Sequence, residues 1–480
     1  MTVTSSAPQR FPLPIGDRMF EDGDWMAVRD KYRGGPAYEV ALAAPAQVDA
    51  AVVAARTAAA EPLPAYRRYE ILMAAAQGIA DERETLVEAL VTEGGKPHKA
   101  SVNEVRRTIE TFQWSAEDAK RIGGESMPLD ATPDGAGRYA ITLRQPVGVV
   151  VAITPSNSPL NLVAHKVAPA LAAGNAVVLK PPQVTPVCSL LLHRILSDAG
   201  LPPGYLNVLV GSEVGEALLR HPGVDFYNFT GSEGVGEHLR RTVGLRDSLL
   251  ELGGNSPVLV HADADVAEAA AACASKGFLA AGQACTSVQR IHVHRDVYAD
   301  FVGALRAAVE RLVVGDPRDP RTDVGPMISE READRVAAWV DEALAVGATR
   351  AVGGRREGAM LWPTVLENVP RSARVYCSEV FGPVVVVEPY DDLEEAIDAA
   401  NSTQYGLHSA VFTASLDVAY HVIQRLDVGG VVVNDASQWR TEFVPFGGVK
   451  RSGIGREGPR YAIDRMSRLK VAMLALRLPA

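Results

Sequence analysis

The sequence predicts an α/β protein built on a doubly wound parallel sheet. Three observations carry this. From residue 147 onward, short β-branched runs alternate with helical stretches, five buried strands separated by four helices. A second strand-and-helix series of similar size begins near Pro257. The chain has 480 residues, room for two to four domains at roughly 150 residues each.

The elements follow in order. Residues 1–40 hold Pro12, Pro14, Gly34, Gly35 and Pro36 and read as irregular. An Ala-rich helix is expected over 47–60. Another is expected over 66–91, where Tyr69, Leu72, Met73, Ala76, Ile79 and Ala80 form an apolar stripe before Gly94-Gly95-Lys96-Pro97. A third covers 102–120. The first series then reads strand 147–153, helix 160–173, strand 176–179, a helix to Gly200, strand 206–210, helix 213–220, strand 225–229, helix 232–243 and strand 248–252. Thr185 and Pro186 read as the cap and first turn of the helix ending at Gly200. The second series has strands 258–260, 290–294, 384–388 and 431–433, and helices 266–279, 297–313, 330–346 and 393–401. The tail, 466–479, alternates as a strand does.

Composition narrows function. Lys and Arg total 48 against 58 Asp and Glu, a net charge of −10, which lacks the basic footprint of a nucleic-acid binder. No apolar run approaches the ~20 residues that span a bilayer, so no membrane association is expected. Residues 1–10 lack a basic stretch followed by an apolar one, so no secretory signal is expected. The four cysteines, Cys188, Cys273, Cys285 and Cys377, show no CxxC spacing. Free thiols in a reducing cytoplasm, and no metal site, are the expectation.

Chemistry-bearing residues sit at strand ends. After the first strand comes Thr154-Pro155-Ser156-Asn157-Ser158-Pro159, with no glycine loop. Glycines cluster instead at Gly231-Ser232-Glu233-Gly234-Val235-Gly236, either a tight turn or a helix N-terminus that holds a pyrophosphate. Cys285, among small residues 280–286, is either a buried structural thiol or a nucleophile with room for a substrate carbon. Glu251 ends an apolar strand as a salt-bridged carboxylate or a base. Asn157 is a turn residue or an oxyanion donor.

Leu250-Glu251-Leu252-Gly253-Gly254, followed by Gly282-Gln283-Ala284-Cys285, resembles the catalytic pair of the aldehyde dehydrogenase superfamily. Further segments agree in order: 154–160, Lys180-Pro181-Pro182 with Thr185-Pro186, Phe229-Thr230-Gly231-Ser232, Glu379-Val380-Phe381-Gly382-Pro383-Val384, Asn401 with Tyr405-Gly406-Leu407, Pro445-Phe446-Gly447-Gly448-Val449-Lys450, and Ser452-Gly453 with Gly455-Arg456-Glu457. The resemblance covers about 15–475. It is nearest the lactaldehyde, phosphonoacetaldehyde and non-phosphorylating glyceraldehyde-3-phosphate dehydrogenase branch.

That resemblance implies an aldehyde dehydrogenase-like fold: a Rossmann-type cofactor domain (1–124 and 144–252), an α/β catalytic domain (253–450) and a small β bridging element (125–143 and 451–480) that builds a homodimer or homotetramer. It implies NAD(P)-dependent oxidation of an aldehyde to a carboxylic acid. Cys285 would be the nucleophile, Asn157 and the Cys285 N–H the oxyanion hole, Glu251 the hydrolytic base and Glu457 its proton relay. Thr154, Pro155, Ser156, Lys180, Gln183, Phe229, Thr230, Gly231, Ser232, Leu252, Gly253, Glu379 and Phe381 would hold the cofactor. Gln183 stands where many NAD-specific members carry a glutamate, so NADP should be accepted as well as NAD. Alternatively, Gln183 still bonds the ribose hydroxyl and NAD remains the partner. Ser158, His165 and Arg440 stand where members that take apolar aldehydes carry aromatics, and with Phe446 they imply a small polar or anionic aldehyde. The alternative leaves Arg440 in solvent and His165 in the core. A CoA-acylating enzyme and a silent binding relative are the rival functions. Glu251 argues against the first, and the intact Cys285, Asn157 and Glu251 against the second.

Overall fold

A computed structural model describes residues 8–475, and two large sheets dominate it. The first runs in the order Leu206–Val208, Ala176–Lys180, Val149–Ile153, Phe226–Thr230, Asp247–Glu251, Gly453–Ile454. The first five are mutually parallel and the last is antiparallel. Helices cover both faces, so the strands can be apolar throughout; Val149–Ile153 reads VVVAI and is buried up to its last residue. Strand order reverses between Val149–Ile153 and Phe226–Thr230, which opens a crevice at their carboxyl ends.

The second sheet runs Thr349–Val352, Thr364–Glu367, Val384–Tyr390, Arg290–His294, Pro257–Val260, His408–Phe412, Gly430–Val433. All its pairings are parallel except that of the first two strands. Each sheet has its own core. One apolar cluster runs from Leu13 to Leu252 and takes in Ala462, Ile463 and Met466. The others begin at Val258 and Leu259. A third sheet, Ser126–Pro128, Arg138–Pro146 and Ser467–Ala475, is antiparallel and stands apart from both.

Several expectations are corrected. Residues 1–40 are not irregular where described: Gln9–Phe11, Leu13–Ile15, Arg18–Phe20, Trp25–Arg29 and Pro36–Ala41 are strands. Pro14 is tolerated because its strand sits in a two-stranded hairpin, turned at Gly16 with φ +61°. The helix expected over 66–91 is two, Ala65–Asp81 and Arg83–Gly94, broken at Glu82 although the apolar stripe continues. Thr185 does not cap the helix Val187–Asp198, and its hydroxyl has no partner among the described residues. Buried Glu93 caps that helix, accepting from the N–H groups of Val187 at 2.8 Å and Cys188 at 2.9 Å. The strand His408–Phe412 and the helix Leu416–Arg425 escaped the sequence reading. The stretch 451–466, expected in the bridging element, lies elsewhere. Gly453–Ile454 extends the first sheet and Pro459–Arg465 packs on Asn161–Ala172. Residues 476–479 of the expected tail strand lie outside the described residues. No described helix is long and apolar enough to cross a membrane.

Candidate active site

A cavity of about 330 Å³ opens where the carboxyl ends of the first sheet face the second unit. Asn157, Ser158, Thr230, Glu251, Cys285, Arg440, Phe446 and Glu457 all line it. Asn157 and Ser158 follow the strand Val149–Ile153, Thr230 and Glu251 each end a strand, and Cys285 follows the helical turn Leu279–Gly282. Phe446 and Glu457 are brought together by a backbone bridge between them.

The backbone before Cys285 is strained. Ala280, Ala281 and Gly282 have φ of 51°, 56° and 68°, three successive left-handed residues. For alanine this conformation costs of order 1–2 kcal/mol per residue, so the surroundings must hold it. Gln283 does part of this: its side chain donates to the Ala280 carbonyl at 3.0 Å and accepts from the Ile328 N–H at 2.9 Å. Gly282 also passes so close to the Gly382 carbonyl that a Cβ would lie 2.2 Å from its oxygen. Gly253 and Gly254 make room likewise. A Cβ on the first would meet the Glu379 carboxylate at 2.5 Å, and one on the second the Cys285 carbonyl at 2.6 Å.

Burial pushes the Cys285 thiol up to about 12, with Arg440 pulling it down and Glu379, Glu251 and Glu457 adding to the rise. Burial, with repulsion from Glu457, also lifts Glu251 well above the usual carboxylate range. Neither Glu251 oxygen has a hydrogen-bond partner among the described residues. A Cβ on Gly447 would come within 2.6 Å of one of them. Burial alone would raise Glu457 too, but Lys166 beside it holds it below the usual range. Lys166 Nζ donates to Glu457 Oε1 at 2.6 Å and to Asn228 Oδ1 at 2.9 Å, all fully buried. Two buried carboxylates thus differ in proton affinity because only one has a cation.

Among the described residues the Asn157 side chain makes no hydrogen bond, and its buried oxygen is unpartnered. Its position is set from below. Lys96 Nζ donates to the Asn157 carbonyl at 3.2 Å and to Ser158 Oγ at 3.3 Å, and pairs with buried Glu104. Glu104 in turn accepts from the N–H groups of Leu160 and Asn161, capping the helix Asn161–Ala172.

Arg440 stacks its guanidinium 3.8 Å over the Phe446 ring and has no ion pair or hydrogen bond among the described residues. Burial lowers its pKa, the mark of a poorly solvated cation. Arg440 is half-buried and lines this cavity. His165 corrects the expectation: it is 1% exposed, lies outside the cavity lining and bonds Glu442. It is a core histidine beneath the cavity, because its position on the helix turns it toward the loop carrying Glu442.

The cofactor residues divide. Thr154 and Thr230 have buried hydroxyls without partners among the described residues, beside the sheet crevice. Burial lowers the Lys180 pKa, and Lys180 has no carboxylate on it. Gln183 is half-buried. Ser232, exposed, precedes the helix Glu233–Val243 with its hydroxyl free of any capping bond. Glu379, which burial raises to about 7, accepts from the Gly254 N–H at 3.1 Å beside half-buried Phe381. Phe229 is corrected: it is 3% exposed and belongs to the apolar core, because alternate strand residues face opposite ways and Thr230 takes the crevice side. Leu252 is likewise buried, packed on Gly236. Free hydroxyls, an unpaired ammonium and a helix N-terminus at a topological switch point fit a dinucleotide.

Lys96, Glu104, Arg107, Lys166, Gln283 and Glu442 were not singled out from the sequence. Signals existed. His165-Lys166 is a polar pair in an otherwise apolar helix, and Glu104, Thr108, Thr111 and Ser115 form a buried polar stripe at helical spacing.

Comparison with known proteins decides the family. The profile of the aldehyde dehydrogenase family matches residues 20–472. The chain belongs to the aldehyde dehydrogenase family. A 3-sulfolactaldehyde dehydrogenase from Priestia aryabhattai is 47% identical over 466 residues, covering 95% of this chain and 98% of that one. The structure of an aldehyde dehydrogenase 21 from Physcomitrella patens, in complex with the reaction product succinate, matches with a TM-score of 0.95 at 38% identity. That match covers 98% of this chain and 99% of the other. A glyceraldehyde-3-phosphate dehydrogenase from Methanocaldococcus jannaschii, complexed with NADP, matches at 0.91 with 38% identity, covering 95% and 100%. This aldehyde dehydrogenase is thus an oxidoreductase that uses NADP or NAD, with the α/β fold of its family.

Proposed function

We propose that this enzyme oxidises a small aldehyde carrying a sulfonate, phosphate or carboxylate, with Arg440 as the contact to the anion and Cys285 as the nucleophile. The observation that carries the reading is the unpaired Arg440 guanidinium on the Cys285 cavity, laid flat on Phe446. A neutral substrate would leave that cation desolvated and unpartnered; an anion supplies the partner and a planar two-point match. The relatives' substrates, sulfolactaldehyde and glyceraldehyde-3-phosphate by name, are of this class.

In the reaction proposed, the Cys285 thiol first passes its proton to water, and Arg440 favours the thiolate left behind. Sγ then bonds to the aldehyde carbon, and the oxygen takes the charge. The Asn157 amide and the Cys285 N–H donate to that oxygen. Glu379 and Phe381 would hold the nicotinamide of NADP or NAD, which would supply the acceptor for the hydride on that carbon. The acyl group remains on Sγ as a thioester. Glu251 takes a proton from water, the water oxygen bonds to the acyl carbon, the carbon–sulfur bond breaks and the carboxylate leaves. Lys166 keeps Glu457 ionised beside Glu251, which raises the affinity of Glu251 for that proton.

Lys180, Thr154, Gln183 and Ser232 would hold the adenosine side and the pyrophosphate, and Glu379 with Phe381 the nicotinamide side. The cofactor domain is taken as 1–124 and 144–252 joined by 453–466, the catalytic domain as 253–450, and the small antiparallel sheet as the assembly element of a homodimer or homotetramer. The experiment is reduced-nicotinamide formation over a panel of anionic, hydroxylated and apolar aldehydes, with NADP and NAD, with and without CoA. Anionic aldehydes should lead and CoA should be dispensable. A requirement for CoA, or a lead for benzaldehyde or hexanal, would overturn the reading.

A further inference from the structure

Between Trp439 and Phe446, the loop that carries Arg440 has almost no polar hold of its own. The loop makes a turn at Glu442–Phe443, but no backbone N–H or C=O of residues 440–445 bonds another segment of the chain among the described residues. One side chain supplies the polar tie to the rest of the molecule. Glu442 is 2% exposed, and its carboxylate reaches across to the two helices that form the opposite wall of the cavity. One oxygen accepts from Arg107 Nε. The other accepts from His165 Nε2 at 2.5 Å, Asn161 Nδ2 at 3.3 Å and Thr111 Oγ1 at 3.5 Å.

We infer that Glu442 is a positioning residue for substrate choice, tying the Arg440 loop to the helices His98–Ala119 and Asn161–Ala172 so that the guanidinium faces Cys285 at a fixed distance. Burial would raise this carboxyl, yet the His165 bond and the nearby Arg107 and Arg440 charges hold it far below the usual range, so it stays ionised. An ionised carboxylate only accepts, so His165 presents its Nε2–H to it. Glu442 also occupies Arg107, which borders the same cavity. Arg440 is thereby left without a partner of its own, two residues away on the same loop. A charge held this way makes a geometric demand on the substrate: the anion must sit where Arg440 is fixed while its carbonyl meets Cys285.

This inference rests on the anionic-substrate reading, and the test separates the two. Steady-state kinetics would be measured for the parent, Glu442→Gln, Arg440→Met and the double variant, with an anionic aldehyde and a neutral one of similar length. Glu442→Gln should raise KM for the anionic aldehyde by about tenfold, a typical coupling within one network, and leave its kcat and the neutral aldehyde's KM nearly unchanged. In the Arg440→Met background the same change should add little, since the charge it positions is gone. Additive losses in the double variant, or equal losses for both aldehydes, would overturn the positioning role while leaving the Arg440 reading intact. A parent with no preference for the anion would instead overturn the reading itself. Should Glu442→Gln fail to fold, Glu442→Asp carries the same cycle: it keeps the charge but shortens the tie, and should show a smaller KM effect confined to the anionic aldehyde.

Discussion

At the residue scale, the account turns on two carboxylates in one buried site with different partners. Glu251 has no bonded partner among the described residues and is raised by burial and by Glu457, whereas Glu457 is held ionised by Lys166. In the reaction proposed Glu251 must be deprotonated to activate water, so thioester hydrolysis should speed up as pH rises through its displaced pKa. The rise should come well above the ordinary glutamate value of about 4.3. Glu457→Gln removes the repelling charge, so the midpoint of that rise should move to lower pH. An unmoved midpoint would show that the rise belongs to another group. Glu251→Gln should still give one burst of reduced cofactor, with steady turnover lower by about 10²–10⁴-fold. Undiminished steady turnover would reassign the base. Cys285, Glu251 and Asn157, singled out in the sequence from three separate segments, do line one cavity. Lys166 and Glu442 could not be singled out there, since each acts on a group far away in the chain: Lys166 pairs with Glu457, and Glu442 with Arg107 and His165.

At the element scale, helix ends are secured from a distance. The helices Val187–Asp198 and Asn161–Ala172 follow strands of the cofactor crevice, and each takes a buried carboxylate from an N-terminal helix, Glu93 and Glu104 respectively. Glu93→Ala should therefore lower stability by about 1–3 kcal/mol, the cost of stranding buried donors, read as a fall in the thermal unfolding midpoint. Thr185→Ala should cost far less, since the Thr185 hydroxyl bonds nothing among the described residues. Equal effects would restore the local cap that Thr185-Pro186 suggests. The long apolar strands were legible because parallel sheets covered on both faces leave continuous β-branched runs. His408–Phe412 was not. It is fully buried, but its histidine and serine interrupt the run, and Ser409 satisfies its hydroxyl on the Pro257 carbonyl at 2.7 Å. The short N-terminal strands were hidden by proline and glycine at their turns.

At the scale of the whole molecule, two units with separate cores meet over one cavity, and a third small sheet stands clear of both. Its strand Ser467–Ala475 exposes Leu469, Val471, Met473 and Leu474. An apolar strip of this kind on an exposed strand suits contact with another copy of the chain. Leu469→Glu with Met473→Lys should shift the enzyme to a smaller species in sedimentation, with the secondary structure intact. An unchanged sedimentation coefficient would place the assembly surface elsewhere. The alternation of strand and helix was enough to foresee both units. It could not show that Gly453–Ile454 returns to the first sheet, because a two-residue strand leaves no periodicity to read.

The most direct test of the central claim is the ratio of kcat/KM for a three-carbon sulfonated or phosphorylated aldehyde to that for hexanal, in the parent and in Arg440→Met. Loss of a charged hydrogen bond is worth about 1.5–3 kcal/mol, roughly 10- to 150-fold. The parent should favour the anion, and Arg440→Met should narrow that ratio by about this factor, chiefly by weakening the anionic aldehyde. A parent that favours hexanal, or an Arg440→Met enzyme that handles the anionic aldehyde as well as the parent does, would contradict it.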